Sequence, residues 1–447
     1  MSSLLIKDGY VVLGDQIVRT NVYVEDGKIS AVGSSVPGIA DVVVDAHGKY
    51  VIPGAIDEHV HCREPGLTYK EDFTTCTKSA AAGGVTTVYE MPNTLPPVDD
   101  ASRLKEKASL LKDRAYVDFA LYGVLHSTNL DRFDELVDAG AIGFKVFLGP
   151  TTGNIPPPDD GALYEILSRA ARRNVTVAFH AENNDIVNFF TEKLKRTGRT
   201  DPSVHMEARP PIAEEEAIRR IALFSLRTGG RALIVHVSSR EGIEAIREAR
   251  EQGARVYGET CPHYLVLDST AYSRYGSLIK VNPPIRTNLD MEALWNAVNS
   301  EIITNVGSDH APHTPEEKRG SIWDAASGII GVQTMLPILL DSALKGRTTI
   351  SRVVKLVSEM PARLFGLYGR KGVIAPGADA DLVVFDPSEG FSIREEWLYS
   401  KSKISPFIGW ELRGKIERVY LRGNEIYDGE SVTERRGDYI RADLLSS

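Results

Sequence analysis

Cysteine is scarce in this sequence, and its few copies lie far apart. The 447 residues include only three cysteines, Cys62, Cys76 and Cys261, and no Cys-x-x-Cys pair. This usage disfavours both a disulfide framework and a thiolate metal site, because each needs several cysteines at short, regular spacing. We therefore predict a cytoplasmic protein.

Excess positive charge and long apolar runs are missing as well. The chain carries 52 Lys and Arg against 61 Asp and Glu, a net charge of −9, with no basic stripe that could follow a phosphate backbone. Polar residues and a proline interrupt the longest apolar region, 328–344, and charge at Lys7 comes too early for a signal peptide. We predict a small-molecule partner, no nucleic acid and no membrane.

The distribution of strand-like segments predicts two kinds of structure. Residues 4–34 read as short strands joined by tight turns, and the same pattern returns at 381–386 and 416–428. Between these ends, strands alternate with helical stretches, which is typical of parallel βα units. No Gly-x-Gly-x-x-Gly follows the first of these strands, which disfavours an open dinucleotide-binding sheet.

Eight candidate strands would close a (β/α)8 barrel. They are residues 50–52, 86–90, 117–121, 142–147, 176–180, 232–236, 255–259 and 303–308. We predict an α/β protein with a barrel over residues 53–370. Residues 1–52 and 371–447 are expected to combine into one small β domain.

Four histidines follow or end the predicted strands, at the barrel edge where active sites gather. In His59-Val60-His61 the two-residue period of an extended chain turns both imidazoles to one side, which suits two ligands on one ion. His180 and His236 end two later strands. The alternative is a set of hydrogen-bonded core histidines, but four costly polar groups at strand ends favour a metal site.

Lys145 and Asp309 extend this set. A lysine between Phe144 and Val146 on a barrel strand is costly unless it is neutralised, modified or paired with a carboxylate. One functional interpretation is that Lys145 captures carbon dioxide as a carbamate that bridges two divalent cations. Such two-metal sites lower the pKa of bound water enough for attack on an amide carbonyl. A set of nitrogen and oxygen ligands accepts zinc, cobalt or manganese, with zinc the first expectation.

These motifs resemble those of the amidohydrolase superfamily, in its branch of cyclic amidases. The resemblance runs from Pro53-Gly54-Ala55-Ile56-Asp57 to residues 377–382. It implies a distorted (β/α)8 TIM barrel with a composite β-sandwich from both termini, and a homodimer or homotetramer. The ligands it implies are His59, His61 and Asp309 for a first metal, His180 and His236 for a second, and carbamylated Lys145 for both.

Within that branch, His61-Cys62-Arg63-Glu64-Pro65-Gly66 is similar to dihydroorotases. Arg63 offers a planar fork for a substrate carboxylate, to which Asn93 and His313 can add donors, and Asn282 lies in a similar motif. The expected reaction is reversible hydrolysis of dihydroorotate to N-carbamoyl-aspartate by a metal-bridging hydroxide, a step of pyrimidine biosynthesis. Asp309 would be catalytic, carrying a proton to the leaving nitrogen.

Three alternatives stay open. Residues 180–183 and 258–264 resemble allantoinases and hydantoinases (dihydropyrimidinases) as closely as they resemble dihydroorotases. Hydantoinases usually carry a tyrosine, as the carbonyl-polarising group, where this chain has Pro150. A catalytically inactive scaffold or partner subunit is the non-enzyme alternative, although such relatives lack some ligands. Arg63 could also be a surface ion-pair residue, and Asn93 and Asn282, next to prolines, could be turn formers.

Overall fold

The computed structural model describes residues 3–151, 153 and 155–441. The first part of the chain is a β meander, whose strands are β1 (Leu4–Leu13), β2 (Gln16–Glu25), β3 (Lys28–Gly33), β4 (Val42–Asp45) and β5 (Tyr50–Pro53). β1 pairs antiparallel with β2, and β2 with β3. The turns between them place Gly14 and Gly27 at φ 61° and 76°, values that glycine adopts without strain.

The middle of the chain forms the barrel. Its strands are β6 (Ala55–Val60), β7 (Val85–Glu90), β8 (Asp118–Leu121), β9 (Gly123–Val124), β10 (Phe144–Phe147), β11 (Thr176–His180), β12 (Arg231–Ile234), β13 (Val256–Thr260) and β14 (Ile303–Val306). Only Tyr122 separates β8 from β9, which pair with β7 and β10 respectively. A parallel bridge between Val60 and His310 closes the ring of strands.

Helices cover the outside of the barrel. The α-helices are α1 (Phe73–Ala82), α2 (Ala101–Leu111), α3 (Phe133–Ala139), α4 (Asp160–Arg173), α5 (Asn184–Lys195), α6 (Val204–Ala208), α7 (Pro211–Thr228), α8 (Arg240–Glu251), α9 (Pro262–Val266), α10 (Tyr272–Tyr275), α11 (Asn288–Asn299), α12 (Pro315–Lys318), α13 (Met335–Leu344), α14 (Ile350–Val354) and α15 (Met360–Leu364). In α4, Leu163, Ile166, Leu167 and Ala170 share the buried face, as a 3.6-residue period requires. Asp159 caps its first turn.

The chain ends return to one sheet. The last strands are β15 (Leu382–Ser392), β16 (Glu411–Leu421) and β17 (Asn424–Tyr427). β15 pairs with β5, so the described strands form a sheet in the order β17-β16-β15-β5-β1-β2-β3, with β4 beside β1. Some of their buried side chains enclose a core separate from that of the barrel, and others, such as Val383 and Ile416, belong to the barrel core. The barrel with a β-sandwich from both termini is therefore confirmed, whereas the domain boundaries stay predictions.

Two sequence predictions about these elements are wrong. Residues 50–52 do not begin the barrel, because they pair with β1 and β15 in the sandwich sheet. The first barrel strand is β6, which already contains His59, and Gly54 alone separates it from β5. Cys62 and Cys76 form a disulfide between the end of β6 and α1, although their spacing gave no indication of one.

A cluster of charged residues joins the barrel to the sandwich at the opposite end of the strands from their C-termini. Asp118 begins β8, and its carboxylate lies 2.7 Å from Nζ of Lys371 and 2.5 Å from the guanidinium of Arg422. Asp379 and Asp381 also pair with Lys371, whose side chain is 1% exposed. Every carboxylate of this cluster therefore has a cationic partner from the chain itself.

Within the described residues, every helix is too short or too polar to cross a bilayer.

Candidate active site

A pocket of about 350 Å³ opens where the barrel strands end. Its volume is suited to a small ligand. Every site residue selected from the sequence lines it: His59, His61, Arg63, Asn93, Lys145, His180, His236, Asn282, Asp309 and His313. The strand ends thus bring together side chains that lie up to 254 residues apart in the sequence numbering of the chain.

His59, His61 and Asp309 form one side of the pocket floor. Nε2 of His59 and Nε2 of His61 lie 3.2 and 3.4 Å from Oδ1 of Asp309. Burial lowers the pKa of both imidazoles to about 3, so both rings are neutral near pH 7. Each Nδ1 faces an acceptor, Glu259 at 2.8 Å from His59 and the Asn93 amide oxygen at 2.9 Å from His61.

This arrangement suits the Nδ1–H tautomer of both histidines. An Nδ1–H that donates to Glu259 or Asn93 leaves a lone pair on Nε2. Both lone pairs then point toward the carboxylate of Asp309, a contact between acceptors that a cation would make favourable. The three ligand atoms lie within 4.8 Å of one another, so the residues fit a divalent metal ion.

His180 and His236 form the other side of the floor. Nδ1 of His180 lies 2.9 Å from Nε2 of His236, and burial lowers the pKa of both rings. Nε2 of His180 lies 2.9 Å from Glu182, whose carboxylate also accepts from Nε of Arg209 at 3.0 Å. A ring proton held toward Glu182 leaves the Nδ1 lone pair for a metal, next to the second imidazole nitrogen.

Lys145 stands between the two halves of the floor. Its Nζ lies 3.3 Å from Nε2 of His59 and 5.4 Å from the centre of the Phe147 ring, and the residue is 1% exposed. Among the described residues no carboxylate forms an ion pair with it. Burial lowers its pKa to about 8, so a usable fraction of the amine is neutral near pH 7.

Three pocket residues adopt the left-handed backbone region that side chains usually avoid. The φ angles are 64° at Arg63, 44° at His236 and 46° at Asp309. Such conformations cost about 1–3 kcal/mol each and concentrate at functional sites. Their placement on pocket residues indicates that the fold holds these side chains in position against a local preference.

The wall opposite the histidines is cationic. Arg63 donates from Nε to the Pro312 carbonyl at 3.1 Å, and its Nη2 lies 3.2 Å from Nε2 of His313. Lys70 also lines the pocket, 3.1 Å from Nδ1 of His313. Sequence analysis missed Lys70, which lies in a loop without any periodic pattern or motif.

Two buried lysines support this wall from behind. Lys318 donates from Nζ to the carbonyls of Ala326 and Gly328, each at 2.9 Å, and Lys280 donates to that of Ala325 at 2.6 Å. Burial lowers the pKa of Lys318 to about 7 and that of Lys280 to about 8. The backbone of this pocket wall is therefore held by ammonium groups without a carboxylate partner in the described structure.

Comparisons with known proteins agree on the family. Residues 50–426 match the model of the amidohydrolase family. An allantoinase from Rubrobacter xylanophilus is 41% identical over 443 residues, covering 98% of this chain and 97% of that protein, and one from Solibacter usitatus is 38% identical over 447 residues, covering 98% and 97%. The solved L-hydantoinase (dihydropyrimidinase) from Arthrobacter aurescens has a TM-score of 0.95 and 33% identity, covering 99% of this chain and all of that one.

The prediction of a dihydroorotase, and with it of a role in pyrimidine biosynthesis, is wrong. The relatives at 38–41% identity are named allantoinases, and the similar solved structures are hydantoinases. Geometry gives a physical reason. Asn93 and His313, which were expected to join Arg63 around a carboxylate, line the pocket but also contact His61 and the backbone oxygen of Ser327, so part of their hydrogen-bonding capacity is already used by the protein. Their role toward a substrate stays a prediction.

Fold, ligand geometry and comparisons agree. The family typically binds divalent metal ions, and residues suited to hold one line the pocket at the strand ends. The chain belongs to the amidohydrolase family and is a cyclic amidohydrolase.

Proposed function

We propose that this protein is an allantoinase, which opens the hydantoin ring of allantoin by hydrolysis of a ring amide. The observation that carries the proposal is the 41% identity to an allantoinase over almost the whole chain. The pocket chemistry supports it. Allantoin carries a ureido group on its ring, rich in oxygen acceptors and N–H donors, and the polar side chains of Arg63, Lys70 and Asn282 line the pocket.

Individual groups of the pocket match this ureide. Arg63 is 3% exposed and lines the pocket, where a ureido oxygen would accept from its guanidinium. Oδ1 of Asn282 is buried and has no hydrogen-bond partner among the described residues, so it can accept from a ureide N–H. A substrate carboxylate would pair with the same guanidinium, so the predicted small-molecule substrate with a carboxylate stays a prediction.

The metal ligands are proposed as predicted: His59, His61 and Asp309 for one ion, His180 and His236 for another, and carbamylated Lys145 for both. Zinc is the proposed metal. Bound divalent ions supply Lewis acidity, which lowers the pKa of water and polarises an amide carbonyl. Lys145 becomes a carbamate when its neutral Nζ forms a bond to the carbon of carbon dioxide and releases one proton.

Asp309 is the proposed proton carrier. Burial raises the pKa of Asp309, but the value nevertheless lies well below the usual range, so the carboxylate is ionised near pH 7. The ionised carboxylate can take the proton of the attacking water and deliver it to the ring nitrogen as the C–N bond breaks. The water oxygen ends in the new carboxylate, and the nitrogen leaves as an amide N–H.

A second candidate is hydantoinase (dihydropyrimidinase) activity, which the TM-score of 0.95 to the Arthrobacter aurescens protein favours. Pro150, at the pocket edge, offers no hydroxyl for a substrate carbonyl. This position therefore favours allantoin over simple hydantoins. A homodimer or homotetramer and a cytoplasmic location remain predictions.

The test is a comparison of substrates with zinc-loaded protein. We expect ring opening of allantoin to have a higher kcat/KM than that of 5-substituted hydantoins or dihydrouracil. Asp309→Asn should lower kcat by about 100- to 10,000-fold, the usual contribution of a positioned acid or base. If neither allantoin nor any hydantoin is opened while metal analysis shows full loading, the proposal is wrong. Intact protein that holds no site-bound metal under any loading condition would favour the inactive scaffold.

A further inference from the structure

His313 has neighbours at both ring nitrogens, and they constrain its proton. Lys70 Nζ lies 3.1 Å from Nδ1, whereas Nε2 lies 3.0 Å from the carbonyl oxygen of Ser327 and 3.2 Å from Nη2 of Arg63. The ring is 4% exposed, and burial lowers its pKa to about 2. It is therefore neutral, with one nitrogen that donates and one that accepts.

Lys70 decides which nitrogen accepts. Its ammonium also lies 2.8 Å from Glu317, and this ion pair favours the charged form, which can only donate. Oε2 of Glu317 lies farther from Nδ1 of His313, at 3.5 Å, than Nζ of Lys70 does. Nδ1 then accepts from Lys70, so the ring proton sits on Nε2. That N–H has an acceptor in place, the carbonyl of Ser327.

The consequence falls on Arg63. Its Nη2 cannot donate to a ring nitrogen that carries a proton, so the contact at 3.2 Å is not a hydrogen bond. Nε is engaged with the Pro312 carbonyl, whereas both terminal amino groups keep hydrogens for a molecule in the pocket. Because the Arg63 guanidinium is only 3% exposed, a hydrogen bond from it to such a molecule is stronger than the same bond formed in water.

We propose that Lys70 is a positioning residue for substrate specificity: it holds His313 in the Nε2–H tautomer and so reserves Arg63 for an oxygen of the ring substituent. The inference rests on the proposed function for the identity of that oxygen, a ureido carbonyl. Without Lys70 the ring proton moves to Nδ1, and Nε2 then accepts from Arg63. The guanidinium is thereby turned inward and lost to the substrate.

The first measurement is the tautomer itself, by nitrogen NMR of zinc-loaded protein labelled in histidine. Signals absent from a His313→Gln variant belong to His313. We expect a protonated Nε2 and a bare Nδ1 in the wild type, and the reverse in Lys70→Met. A protonated Nδ1 in the wild type overturns the proposal, whether or not any variant folds, and so does a tautomer that Lys70→Met leaves unchanged.

The second measurement separates binding from chemistry. For allantoin, Lys70→Met should raise KM about ten-fold, the effect of one hydrogen bond to a charged donor, while kcat and zinc content stay within about two-fold. Lys70→Arg, which keeps a charged donor, should recover most of the loss. Lys345→Met is the matched control, because Lys345 also pairs with a carboxylate, Asp341 at 2.6 Å, but lies outside the pocket.

The two proposals fail in different ways. Wild-type protein that does not open allantoin contradicts the proposed function but leaves the tautomer measurement valid. A tautomer that reverses in Lys70→Met without a change in KM shows that Arg63 does not serve the substrate, and this overturns the specificity role.

Discussion

The barrel carries a cluster of potential metal ligands at each end, and only one suits a metal. At the upper end stand His59, His61 and Asp309, and at the lower end the carboxylates of Asp118, Asp379 and Asp381. In both clusters the ligand atoms lie within 4.8 Å of one another and are buried. By distance alone the two are equivalent.

They differ in the source of positive charge. At the lower end Lys371 contacts all three carboxylates, which raise its pKa above the ordinary value although burial opposes them. At the upper end two neutral imidazoles direct lone pairs at a carboxylate. A cluster whose carboxylates all pair with their own lysine ties elements together, whereas Asp309 has no ion pair with a lysine or arginine among the described residues and can bind an ion from solution.

The lower cluster should respond most strongly to loss of its cation. Lys371→Met leaves three buried carboxylates with only part of their compensation, and we expect the free energy of unfolding to fall by about 3–5 kcal/mol. Urea unfolding followed by circular dichroism measures it. The control is Lys415→Met, which removes an exposed pair with Glu389 and should cost less than about 1 kcal/mol. Similar losses in both variants would contradict the comparison.

When a residue that orients its ligands is replaced, the upper cluster should bind metal more weakly, with little change in the free energy of unfolding. Glu182→Gln removes the charge that holds the ring proton of His180, so zinc should bind about 10- to 100-fold more weakly. Competition with a chromophoric chelator gives the affinity. Glu214→Gln is matched, since Glu214 is a buried glutamate 3.6 Å from Arg286 that contacts no candidate ligand, and its zinc affinity should stay unchanged. If zinc affinity fell equally in both variants, Glu182 would have no specific role in holding the ring proton of His180.

Lys318 is a buried lysine held by carbonyls alone. Of the three changes, its replacement should have the smallest effect, seen in the pH dependence of the free energy of unfolding. Its pKa is about 7 in the folded protein against about 10.5 in the unfolded chain, so unfolding takes up a proton between these values. Its contribution to stability is therefore largest above pH 10.5 and is lost as pH falls through 7. From pH 7 to 8 the free energy of unfolding should rise by about 1 kcal/mol more in wild type than in Lys318→Met. If the free energy of unfolding changed equally with pH in both proteins, the lowered pKa of Lys318 would be contradicted.

The sequence predicted the upper cluster because strand periodicity and strand ends are local features. His59 and His61 share one face of an extended segment, and parallel strands bring His180 and His236 to the same edge. The lower cluster has no such signal, since Asp118 and Lys371 come from distant segments that meet only in the folded chain.

Other misses have the same origin. Residues 50–52 were assigned to the barrel because their sequence is that of any buried strand, and their partner β15 begins more than 300 residues later. The substrate prediction failed for a different reason. Residue types near Arg63 were known, but whether Asn93 and His313 face the substrate or other protein atoms depends on their hydrogen bonds.

Gly54 alone links the sandwich to the strand that carries His59. Its amide donates to the Asp381 carbonyl at 2.8 Å, and an added side chain at Gly54 would collide with Thr86. Because Gly54 is the only residue between β5 and β6, the segment at Asp381 and β15 fixes where the first barrel strand starts. The position of the sandwich sheet therefore sets where the strand that carries His59 begins, and with it the position of one side of the pocket floor.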